Sequence, residues 1–130
     1  MFRIDQRNST PIYQQLVQEV KEAILKGLLR PSERLPSVRE LAVQLTINPN
    51  TIQKSYQELE RQGIIENLQG KGTFVAEHYR PTKDRERLSI LKDDLRRILV
   101  DAHYLGLNED ELLRMVEQLL TELKMGEDNR

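Results

Sequence analysis

"SVRELAVQLTINPNTIQKSYQELERQG" (residues 37–63) reads as two helices with almost nothing between them. Ser37 stands before an apolar-periodic run, and Glu40 follows three residues later. That is the capping-box pattern, in which the two side chains each satisfy a backbone N–H at a helix start. It predicts a short helix over Val38–Leu45. Residues 46–48, "TIN", leave room for one tight turn. Asn48 then caps a second helix with Pro49 at its first position, where a missing N–H is harmless. Ile52, Tyr56 and Leu59 recur at helical spacing as its buried stripe, and Gly63 terminates it.

Upstream, Thr10 and Pro11 read as the cap and first residue of another helix. Ile12, Leu16, Val20 and Ile24 continue it at helical spacing, and Gly27 closes it. The connection "LLRPSERLP" (residues 28–36) holds two prolines, which forbid a continuous helix; Leu35 is suited to burial there in an extended segment. Downstream, "IIENLQGKGTFVA" (residues 64–76) offers two strand-like runs about Gly70 and Lys71. A glycine at the first central position suits a two-residue type II′ turn. Three helices and a hairpin in this order are a winged helix-turn-helix.

Residues 77–87, "EHYRPTKDRER", are polar and broken by Pro81, and mark a domain boundary. Beyond them Leu88, Leu95 and Ala102 are spaced by seven, as are Leu91, Ile98 and Leu105. That is an a/d seam. Asn108 with Glu111 forms a further capping box, and Leu112, Val116, Leu119 and Leu123 continue on a last helix. The expected fold is mainly α with a small β-hairpin. Residues 1–77 are a winged helix-turn-helix, and residues 78–130 a helical dimerisation region. The seam also fits a hairpin folded back on its own winged domain. The six seam positions and four on the last helix are many apolar groups for two helices to hide alone, so pairing with a second chain is the simpler expectation.

Composition excludes several classes. The 130 residues carry 20 Lys/Arg against 21 Asp/Glu and no cysteine. Disulfides, thiolate catalysis and cysteine-bound metal are thereby excluded. No apolar run approaches a membrane span, and the N-terminus lacks the apolar core of a signal peptide, so the expected location is the cytoplasm. His78 and His103 stand in no metal-ligand or catalytic spacing, and Asp93 with Asp94 reads as a solvated helix face. No catalytic residue, metal site or cofactor is expected. Residues 1–76 hold ten Lys/Arg against eight Asp/Glu, while the remainder is net acidic, so the first part is the likelier partner of a polyanion.

No acid occurs from residue 41 to 57. A helix start normally welcomes carboxylates, because its dipole is positive there. A phosphate would be welcomed equally and repelled by them. In a helix-turn-helix the second helix enters the DNA major groove by this end. Asn48, Asn50, Thr51, Gln53, Lys54 and Gln57 face outward; Asn and Gln pair with adenine, and Lys reaches guanine or phosphate. Arg39 sits at the rim of the groove, and Lys71 at the hairpin tip between Gly70 and Gly72. Blander roles fit the same residues: a solvated helix face, a surface ion pair for Arg39, a charged turn at Lys71. A winged helix used as a protein–protein interaction subunit also remains open, but it does not require the acid-free stretch.

Residues 11–76 resemble the GntR family of bacterial transcription regulators. The resemblance is carried by "GLLRPSERLPSVRELA" (residues 27–42), "NPNT" (residues 48–51), "LERQG" (residues 59–63) and "GKGTFV" (residues 70–75). It implies binding of a double-stranded DNA operator. The contacts it implies come from Arg39, from Asn48, Asn50, Thr51 and Gln53, and from Gln69, Gly70 and Lys71 of the wing; Ser37 and Lys54 complete the candidate DNA-binding residues. Many members carry arginines where this chain has Pro49 and Gln53, so the bases read differ from the common operator. The short C-terminal part and the "PIYQQL" opening are similar to the YtrA branch, whose last helices dimerise and whose members typically repress ABC-transporter operons. No effector pocket is recognisable.

Overall fold

The computed structural model describes residues 2–128, with side chains to residue 123. Its elements run α1 (Ile12–Leu25), α2 (Val38–Leu45), α3 (Pro49–Arg61), β1 (Ile65–Leu68), β2 (Gly72–Val75), α4 (Arg85–Tyr104) and α5 (Glu109–Asp128). This is the expected mainly helical order with one antiparallel hairpin. The chain separates into two compact units. One holds the chain up to Tyr79 together with its end from Leu123; the other is Arg80–Glu122.

Each helix of the first unit starts and stops for a local reason. The α1 start falls one residue later than expected. Pro11, with extended backbone (φ −54°, ψ 145°), occupies the cap position, and no side chain caps the helix. A residue before proline is itself pushed to extended backbone, and the Thr10 carbonyl is taken instead by Gln15 Nε2 at 2.8 Å. Gly27, at φ 79°, closes α1. The capping box at Ser37 and Glu40 is complete. Thr46 makes the turn to α3 in the left-handed region at φ 55°, and Ile47, itself buried, returns its N–H to the Ala42 carbonyl at 3.0 Å. That strained turn holds because the chain on both sides is anchored.

The core lies between α1, α2, α3 and the inner face of the hairpin. Leu16, Val20, Leu41, Ile52 and Leu59 are its fully buried centre, each stabilising the fold by roughly 1.5–3 kcal/mol. Leu35 is buried as expected.

The hairpin pairs Ile65 with Val75 and Leu68 with Gly72. Its connection therefore has three residues, 69–71, not the two of a type II′ turn. Lys71 N–H closes on the Leu68 carbonyl at 2.9 Å, which places Gly70, at φ 77°, third in that turn. A positive φ there suits glycine. The segment before α2 adds itself to the outer edge of β2. Leu35 N–H meets the Thr73 carbonyl at 2.8 Å, Val75 N–H the Glu33 carbonyl at 2.9 Å, and Arg34 bridges to Phe74. The wing is thus a two-stranded sheet backed by an isolated bridge from this segment.

In the second unit Asp84 caps α4, so the helix begins inside the polar stretch that reads as a linker. The Asn108–Glu111 capping box is present, at 2.8 and 3.1 Å. Gly106, at φ 86°, makes the intervening turn. Among the described residues no helix is long and apolar enough to cross a membrane.

Candidate nucleic-acid interface

The orientation of α3 follows from what it buries. Ile52, Ser55, Tyr56 and Leu59 face the core. At the α-helical rotation per residue, Asn50, Gln53, Lys54 and Gln57 then share an arc of about 100° on the opposite side, and all four are exposed. Two hydrogen bonds set the roll of the helix. Ser55, fully buried, holds its Oγ 3.0 Å from the Tyr13 carbonyl of α1. On the other flank, Tyr56 donates its hydroxyl to the Pro36 carbonyl, just before α2, at 2.7 Å. Burial, then the charge of Glu40, pushes the Tyr56 hydroxyl pKa well up, so it remains a donor. The outward arc of α3 lies between these two flanks. Ser55 escapes a sequence reading because serine on a helix looks like surface. Its place three residues after Ile52 and four before Leu59 is the only available signal.

The start of α2 is electrically settled. Ser37 Oγ accepts the Glu40 N–H at 3.0 Å, and the Glu40 carboxylate accepts the Ser37 N–H at 3.3 Å. The Ser37 side chain, its backbone and the charge of Arg34 hold the Glu40 carboxyl below the usual carboxylate range. Ser37 therefore spends its hydroxyl on the cap. Arg39, one step before Glu40, is exposed and makes no ion pair among the described residues.

The start of α3 is open. Asn48 Oδ1 accepts the Asn50 N–H at 2.8 Å, which leaves the Asn48 amide group as the free end of that side chain. The first turn holds no acid. Thr51 is half-buried, whereas Asn48, Asn50 and Gln53 are exposed. Lys54 does not extend freely: its Nζ sits 3.9 Å from the centre of the Tyr13 ring.

At the wing, Gln69, Gly70 and Lys71 are exposed. Gly72, at φ 118°, leaves room for Arg34; a Cβ there would come within 3.1 Å of Arg34 Nε. Arg34 thus lies along the outer face of the wing. It is a cation that the proline-rich connection did not advertise, since its place depends on strand pairing. The ten candidate DNA residues all belong to the first unit, eight of them exposed and Ser37 and Thr51 half-buried.

The apolar seams behave differently. Leu88, Leu91, Leu95, Ile98, Leu105, Val116 and Leu119 are 40–80% exposed. Leu112 and Leu123 are half-buried, and Ala102, beside the Gly106 turn, is buried within the chain. Leu105 is the C-cap of α4 rather than a residue of the helix proper.

The sequence profile of the bacterial regulatory proteins of the gntR family matches residues 12–75. Over 129 residues the chain is 43% identical to the HTH-type transcriptional repressor YtrA of Bacillus subtilis (strain 168), covering 99% of each. A crystal structure of a transcriptional antiterminator from Listeria monocytogenes EGD-e is similar with a TM-score of 0.85 at 37% identity, over 95% of this chain and 92% of that one. The AraR DNA-binding domain in complex with operator ORE1 is similar with a TM-score of 0.50 at 32% identity, over 58% and 93% of the two chains.

Proposed function

The chain belongs to the gntR family of bacterial regulatory proteins, and on that premise we propose that it is a cytoplasmic, sequence-specific DNA-binding repressor that acts as a homodimer on an inverted-repeat operator. It is a regulator and not an enzyme, as its relatives are. One observation carries the proposal: the exposed arc of α3 ends in an acid-free helix start, with amides at Asn48, Asn50 and Gln53. An open helix start favours the phosphate backbone, and amide side chains read base edges. Arg39 and the wing tip, Gln69 to Lys71, flank the same unit. The seams of α4 and α5 supply the second copy. Resemblance to the YtrA branch alone points to an ABC-transporter operon as the target, to be checked by mapping the promoters the protein occupies.

Selection of bound duplexes from a random pool tests the main proposal. The expected motif is symmetric, with half-sites about 10–10.5 bp apart or a multiple of this. Recovery of no symmetric motif sinks it.

The contacts divide by role. Arg39→Ala is expected to weaken all sequences alike and to lower the salt slope of binding by about one unit. Gln53→Ala instead relaxes the preference at one base pair, by roughly 1–3 kcal/mol. Titration of matched and single-mismatch duplexes separates the two; a uniform loss in Gln53→Ala removes Gln53 from the base readers.

A further inference from the structure

We propose that Tyr13 is a positioning residue for DNA binding: its ring holds the Lys54 ammonium at the α1-side edge of the outward arc of α3, where it meets a phosphate of one strand. The proposal rests on the DNA-binding reading above and deepens it.

Position comes first. On the helical rotation, Lys54 is the member of the arc nearest Ser55, and Ser55 is bound to the Tyr13 carbonyl. Lys54 is therefore on the α1 flank, while Gln53 is on the Tyr56 and Pro36 flank. When a helix lies in the major groove its central arc meets base edges and its flanks meet the sugar–phosphate walls. The placement selects phosphate over guanine for Lys54.

Charge comes second. The two cations of α3 are held in opposite ways. Arg61, at the C-terminal end, is clamped by the Glu58 carboxylate at 2.7 Å and is neutralised there. Lys54 rests at 3.9 Å on an aromatic face, which attracts an ammonium through its quadrupole and carries no formal charge. The lysine is steadied, its net charge stays available, and the ring covers only one side of its three N–H donors. The ring is steadied in turn. Gln14 Nε2 donates to the Tyr13 hydroxyl at 3.0 Å, and Ser55 fixes the backbone at Tyr13. A free lysine side chain would lose its rotamer freedom on meeting the phosphate; the ring contact biases this one beforehand. The tyrosine of "PIYQQL", absent from the candidate DNA-binding residues, thereby acquires a role.

The test uses the full chain and a mixed-sequence duplex, because a phosphate contact is independent of sequence. Lys54→Met is expected to lower the salt slope by about one unit. Tyr13→Leu is expected to weaken binding by about two- to five-fold, and to change nothing further in the Lys54→Met background. Tyr13→Phe, which keeps the ring face, retains wild-type affinity. Equal losses for Tyr13→Leu in both backgrounds, no rescue by Tyr13→Phe, or an unchanged slope for Lys54→Met would each overturn the proposal. A second readout needs no variant. The Lys54 Cε protons are expected to carry an upfield ring-current shift in the free protein and to keep it on the duplex; its disappearance on binding shows that the lysine leaves the ring, and ends the idea. A wild-type chain that binds no duplex at all overturns the DNA-binding reading itself, not this pairing.

Discussion

Leu95→Asp combined with Ile98→Asp is expected to make the protein monomeric and to lower its affinity for a symmetric duplex by about 10²–10⁴. Leu95 and Ile98 are half-exposed in the single chain, as are Leu88, Leu91, Val116 and Leu119. A contiguous apolar surface of this kind is rarely left to water. Paired with a second copy, α4 and α5 of the two chains can enclose both stripes in a four-helix bundle. The two-fold axis of that pair then matches the symmetry of an inverted repeat. The second half-site is bound as an intramolecular event, and the stated factor is what such linkage adds without any new base contact. Aspartates at the seam would place four carboxylates, two from each chain, at one interface. Sedimentation and DNA titration decide the matter. A double variant that remains dimeric at full affinity would move the interface elsewhere, and the seam would need another occupant.

Ile52→Ala is expected to destabilise the winged unit by about 2–5 kcal/mol. Ile52 is completely buried and sits behind the outward arc, one residue from Gln53. The loss combines the transfer free energy of the missing carbons with the cavity they leave, and neighbours pinned by Ser55 and Tyr56 have little freedom to collapse into it. Urea unfolding should show a lower midpoint at unchanged slope. Asn50 and Gln53 are untouched, so the variant should keep its base preference wherever it is still folded. A loss below about 1 kcal/mol would mean that the site repacks.

What was legible in the sequence is what short-range chemistry decides. Ser37 with Glu40, Asn48 with Pro49, and Asn108 with Glu111 mark helix starts by side chains that bond within three residues. The stripe Ile52, Tyr56 and Leu59 is periodic, so its burial could be read off its spacing. Pairings distant in sequence could not. The length of the wing connection depends on the register of β1 with β2, and the place of Arg34 on an isolated bridge to Phe74 that forms only in the folded chain. Lys54 reads as an outward lysine until α1 brings a tyrosine ring beneath it. The cap of α1 falls at Pro11, one residue after Thr10, because two helix-start rules compete there and the extended backbone at Pro11 wins.

Residues 32–35 are hydrogen-bonded to the free edge of β2 without forming a strand of their own. A two-stranded hairpin alone is marginal in water. Here its outer edge is hydrogen-bonded to the residues that lead into α2. This segment and the wing are one piece, so the hairpin cannot swing without unzipping Leu35 and Val75 from their partners. The closed edge also offers no template for an intruding strand. For the proposed wing contact, the hairpin is already in shape before a duplex arrives, and association is spared the entropy of ordering it.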